Sequence, residues 1–164
     1  MSLNQENYEE KKFLFRRYIK LPKSWDIIPL KKLISDDVQP GFSSGDRDEN
    51  GILQLRMNNI GENGVFDFNK TLCVPIPENI ENYDIKKNDV LFNNTNSLEL
   101  VGKPVMSQDD MTLTFSNHIS RIRTDDKQLL PYFLALTFLR YRKMAIFQSI
   151  CNIHVGQVGI GKTE

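Results

Sequence analysis

The residues of this chain that could do chemistry are amides, hydroxyls and cations. Asn93, Asn94, Thr95, Asn96 and Ser97 run consecutively, with Gly102 and Lys103 close behind. Asparagine and glutamine amides can pair two-pronged with adenine and arginine with guanine, while Ser, Thr and Lys mostly hold phosphates. The same short side chains also build ordinary turns by bonding their own backbone, so this run has a structural reading beside the functional one. A second group stands at strand spacing. Gln54, Arg56 and Asn58 alternate with Leu53, Leu55 and Met57, so in an extended chain the polar trio forms one outward row. That row either meets base edges or is the wet face of a half-buried sheet. Arg121 and Arg123 share a face by the same alternation, with His118 and Ser120 opposite, and are read as phosphate contacts; surface pairing with Asp125 or Asp126 competes with that reading.

Other chemistries find less support. His118 and His154 have no Ser or Cys nucleophile in a recognisable motif and no paired carboxylate, so no catalytic residue is assigned. Cys73 and Cys151 stand alone and far apart, read as reduced thiols, and neither a metal nor a cofactor is expected. Gly156 to Thr163 satisfies the phosphate-loop pattern of P-loop nucleotide-binding proteins. That chemistry needs a strand before the loop and a helix after it, whose amides hold the phosphates, and such a helix is not expected here. The glycines are read instead as an exit from the preceding helix.

Composition narrows the class. Hydrophobic residues make up 40% and charged residues 26%, which places the 164-residue chain among folding globular domains. Formal net charge is zero, which argues against nonspecific coating of nucleic acid. Any such binding must be local, and residues 101–164, with eight basic against five acidic side chains, are the more basic stretch. No apolar run approaches membrane-spanning length, so a soluble cytoplasmic protein is expected, with no membrane partner.

The elements that must position these residues can be read from pattern. Residues 6–19 place acids first and bases last, predicting a helix that ends at Leu21-Pro22. A helical turn is expected at 29–34 and a mobile loop over 35–50. The strand opening at Gly51 is followed by a turn at 61–64 and strand candidates at 65–68, 72–76, 89–92, 98–106, 111–115 and 118–124. Pro131 then starts a long helix through Ile150, with Leu134, Phe138, Tyr141 and Ala145 in register. The fold class is α+β: a twisted, mainly antiparallel sheet with a long C-terminal helix.

The run Asp89-Val-Leu-Phe-Asn-Asn-Thr-Asn-Ser-Leu-Glu-Leu-Val-Gly-Lys-Pro104 resembles the target recognition domain of type I restriction-modification specificity subunits. Other landmarks keep the family's order: Leu21-Pro22-Lys23-Ser24-Trp25, Gly51 to Ile60, Phe115 to Arg123, and Pro131-Tyr-Phe-Leu-Ala135. The resemblance implies a recognition domain over 21–164 behind an N-terminal helical extension at 1–20. It implies a non-catalytic part that reads one half of a split double-stranded DNA target. It also implies methyltransferase and restriction subunits as partners, held through regions this sequence does not contain. The family carries two such domains joined by long helices, whereas one is visible here. A P-loop nucleotide-binding protein and a protein-interaction module stay open as alternatives.

Overall fold

The computed structural model describes residues 7–13, 17–154 and 157–160. Strands β1 (Tyr8–Phe13) and β2 (Arg17–Pro22) pair antiparallel, Tyr8 opposite Pro22 and Glu10 opposite Lys20. The expected N-terminal helix is therefore corrected to a hairpin. The charge pattern that suggested helical pairs works equally in a strand: Glu9 and Lys11, two apart on one face, meet at 3.0 Å, and Lys11 also reaches Asp26 at 3.6 Å. The expected boundary at residue 20 falls inside β2.

A short 3-10 turn at Leu30–Lys32 precedes β3 (Gln39–Pro40). Then come β4 (Ile52–Leu55), β5 (Cys73–Val74), β6 (Val90–Asn93), β7 (Thr95–Asn96), β8 (Pro104–Met106), β9 (Thr114–Phe115) and β10 (Ile119–Ile122). Helices α1 (Pro131–Lys143) and α2 (Ile146–Ile150) come next, then β11 (Asn152–His154) and β12 (Gln157–Gly159). The architecture is α+β with antiparallel sheets and a C-terminal helix. The strands form small sheets, ordered β3-β10-β6-β8, β5-β4-β9 and β11-β12-β7 besides the hairpin; among these β4 and β9 pair in parallel.

The central β3-β10-β6-β8 sheet is covered on both faces, so its side chains are buried whichever way they point. Leu91, Val105 and Ile119 point into a core shared with Leu55, Ile60 and Phe115. Their neighbours Val90, Phe92 and Ile122 point the other way, into a core shared with Leu134 and Phe147 from the helices. Strand β6 thus reads as an unbroken buried run, each large side chain contributing roughly 1.5–3 kcal/mol through burial.

The long helix breaks. Ala145 adopts left-handed geometry at φ 55°, separating α1 from α2. Nine residues beyond Phe138, Phe147 would lie on the opposite side of a straight helix. The break turns it inward, where its ring lies 5.0 Å from Phe92, 5.7 Å from Phe138 and 6.0 Å from Tyr141. The 35–50 segment is likewise pinned. Gln39 and Pro40 pair with β10, and Gly41 sits so close that a Cβ there would lie 2.2 Å from the Phe115 carbonyl oxygen.

Candidate nucleic-acid interface

Strand β4 ends at Leu55, so the expected outward row of three is not formed. Gln54 is buried, its Nε2 donating to the Phe42 carbonyl at 3.2 Å, because the 39–42 segment covers the face that was expected to be wet. Arg56 and Asn58 remain exposed, on a 3-10 turn over Met57–Asn59 that the Asn59 Oδ1 closes by accepting from the Arg56 backbone at 2.8 Å. Asn58 Nδ2 donates to the Lys70 carbonyl at 3.3 Å.

The asparagine run splits in the same way. Asn93 is fully buried, and with its amide nitrogen facing the Thr95 and His118 carbonyls, at 2.7 and 3.2 Å, its oxygen accepts from Asn96 Nδ2 at 2.9 Å. It holds the loop and is corrected from base reader to scaffold. Asn94 donates to the Ser120 hydroxyl at 2.9 Å and Thr95 to Asn94 Oδ1 at 3.3 Å, while β7 pairs with β12. Asn96 is half-buried and Ser97 exposed, with Asn96 Oδ1 accepting the Ser97 amide at 2.8 Å.

Arg121 and Arg123 do not face solvent as a pair. Arg121 is buried beneath the covered sheet, near the Phe115 ring, and bonds both the Asp84 carboxylate at 2.8 Å and the Asp84 carbonyl. Arg123 forms a two-point pair with Asp89 at 2.7 and 3.0 Å and reaches Asp84 at 3.1 Å. The Asp89 hydrogen bond holds the Arg123 guanidinium firmly protonated, above its ordinary range; burial pulls Arg121 the other way. The expected phosphate contacts are corrected to an internal ion network. Its acids come from 84 and 89 rather than 125 and 126, since β10 lies beside β6 and the loop before it.

Four sequence-selected residues do converge. Arg56, Asn58, Asn96 and Lys103 line one surface cleft of about 360 Å³, together with Met57, Leu100, Ser116 and His118, and none of these is acidic. The parallel register that sets Leu55 beside Phe115 carries Ser116 next to Arg56, and the Ser116 amide donates to the Leu55 carbonyl at 2.9 Å. Gly102, at φ 82°, returns the chain so that its amide reaches the Asn93 carbonyl at 2.8 Å. Lys103 is buried, and its Nζ donates to the Met57 carbonyl at 3.1 Å. Burial pulls this ammonium below its ordinary value; the Glu62 charge opposes that, and the Arg142 charge reinforces it. Ser116 and His118 were not selected as binding residues, and the one signal for them was their place in the Phe115–Arg123 stretch of the resemblance.

No family model matches the chain. A protein of Methanocaldococcus jannaschii, named as the MjaX type I restriction enzyme specificity subunit, is 24% identical over a stretch covering 96% of this chain and 37% of that protein. The chain is similar to a type I specificity subunit. The cleft segments, between residues 56 and 118, lie well inside the stretch shared with that specificity subunit. The chain spans little more than a third of the relative's length.

The phosphate-loop match finds no matching geometry where it can be compared. Gln157–Gly159 is a strand paired with β7 and β11, not a wound anion loop; Gly156 and residues 161–163 lie outside the described residues. Among the described residues no cluster of His, Cys, Asp or Glu could hold a metal ion, and no helix is long and apolar enough to cross a membrane.

Proposed function

We infer that this chain is a DNA target recognition domain that reads one half of a bipartite duplex sequence. The carrying observation is convergence. Segments far apart in sequence bring Arg56, Asn58, Asn96 and Lys103 to one cleft without a carboxylate. Arginine and the two asparagines are the side chains that pair two-pronged with guanine and adenine. The relation to a type I specificity subunit supports the same reading. In it the domain over 21–164, on a twisted sheet scaffold, performs no reaction. It positions methyltransferase and endonuclease subunits in the cytoplasm, through regions outside this sequence.

A selection of bound duplexes from a randomised pool at low ionic strength tests this. An enriched motif is expected, with overall affinity near the nonspecific range of about 10⁻⁴ to 10⁻⁶ M because a single half-site is engaged. Recovery of an unenriched pool, with binding insensitive to salt, overturns it.

A protein contact is favoured by a separate observation. On α1 and just before it, Leu130, Tyr132, Phe133 and Leu136 are 63%, 62%, 62% and 44% exposed, an apolar face of the kind that marks protein contacts. The same selection separates the readings, since a pure interaction module enriches no motif.

A further inference from the structure

We propose that the cleft contains a built seat for one phosphate group, held by the Lys103 ammonium and the Ser116 hydroxyl with Arg56 beside them, and that on a duplex it takes a backbone phosphodiester. The second half rests on the DNA-reading function inferred above; the seat itself does not.

Two independent observations point to an anion as the ligand of this cleft. Ser116 is 5% exposed, and its Oγ has no hydrogen-bond partner among the described residues, although buried hydroxyls are almost always satisfied. Lys103 is 6% exposed, and its ammonium, with three N–H donors, has one acceptor among the described residues, the Met57 carbonyl. Among the described residues no carboxylate stands within ion-pair distance of it. The acid nearest in effect, Glu62, is already paired with Arg142 at 2.7 Å. Lys103 and Ser116, 13 residues apart in sequence, thus line the same cleft, and both keep hydrogen-bonding capacity unspent among the described residues.

The chemistry selects phosphate over a base edge. A phosphodiester offers acceptors and a negative charge, and ammonium, hydroxyl and guanidinium are all able to donate to it. A base edge presents donors and acceptors together, which suits the amides of Asn58 and Asn96 instead. The cleft therefore divides its work, one part fixing register on the backbone and the other reading. An anion in the seat would also offset the burial that disfavours charge on Lys103.

The test uses the full chain in two arms. The first titrates inorganic phosphate and follows backbone amide NMR signals. Shifts centred on Lys103 and Ser116 are expected, and should be lost in Lys103→Met. The second measures affinity for a random-sequence duplex across salt. Lys103→Met should weaken binding to all sequences alike and lower the slope of log K against log salt by about 1. Ser116→Ala, which keeps a testable protein should the lysine variant misfold, should weaken binding roughly tenfold at unchanged slope. A duplex slope loss without a response to inorganic phosphate supports the phosphodiester as the source. A phosphate response without duplex binding keeps the seat and overturns DNA reading. Duplex binding with the wild-type slope and affinity in both variants, and no response to phosphate, overturns the seat and leaves DNA reading standing. Failure of both arms overturns both.

Discussion

Arg123 grips Asp89 at two points, Nε to Oδ1 at 2.7 Å and Nη2 to Oδ2 at 3.0 Å, and Asp89 is nearly inaccessible to solvent. An arginine spent this way supports a sheet and is not offered to a ligand. Asp89 also stands 3.9 Å from Arg121 Nε, so Asp89→Ala, which leaves Arg121 and Arg123 without this shared buried acid, should lose about 3 kcal/mol of stability in urea unfolding. Near-wild-type stability would show that the network is not structural.

Acid should weaken the same network at its more exposed end. Burial raises the Asp84 pKa, but the Arg123 hydrogen bond and charge, with Lys86 behind them, outweigh burial and hold it below the ordinary 3.8. A carboxyl whose folded pKa lies below its unfolded value binds fewer protons when folded. Its stabilisation is therefore complete above the unfolded value and is lost as pH falls through the lowered folded one. Unfolding free energies measured from about pH 6 down to about pH 2 should fall less steeply below 3.8 in Asp84→Asn than in the wild type. Equal acid slopes would contradict this.

Gly102 combines a left-handed backbone with contact. At φ 82° a side chain is strained, and a Cβ would lie 2.6 Å from Phe147 Cδ2. Gly102→Ala should cost roughly 1–2 kcal/mol from the backbone alone, with more from displacing Phe147. Combining it with Phe147→Leu should recover part of the loss, the part due to contact, in thermal unfolding. No difference between single and double variants would locate the whole effect in the backbone.

Gln54 and Asn58, expected in one row, should behave oppositely. Gln54→Ala removes a buried amide bonded to the Phe42 carbonyl and should lower stability by about 1–3 kcal/mol while leaving any selected DNA motif unchanged. Asn58→Ala and Asn96→Ala should leave stability within about 0.5 kcal/mol and relax the motif at one position each. A relaxed motif in Gln54→Ala would mean that its face is open in solution.

Much of the secondary structure was legible because local chemistry dictates it. Pro131 opens α1, the prolines at 75 and 77 confine β5 to a sheet edge, and the alternation around Leu53 and Leu55 marks β4. The N-terminal hairpin was not legible, since the acid-then-base order of residues 6–19 suits either conformation and cross-strand pairing is invisible along one strand. The helix break at Ala145 has no local breaker either; it is dictated by where Phe147 must go.

For the site, sequence by itself determined the inventory: which amides, hydroxyls and cations exist, that the chain is neutral overall, and that it resembles a recognition domain of type I specificity subunits. Tertiary structure alone decided which of them are available. Alternation tells which side chains share a face but not whether a second layer covers that face, and here layers cover both faces of the central sheet. Packing turned Asn93 and Arg121 inward as scaffold, set Gln54 under the 39–42 segment, tied Arg123 to Asp89, and brought Lys103 and Ser116 to one cleft with Arg56 and Asn58. Burial and proximity between distant segments are set by packing, a property of the whole chain that no window of neighbouring residues contains.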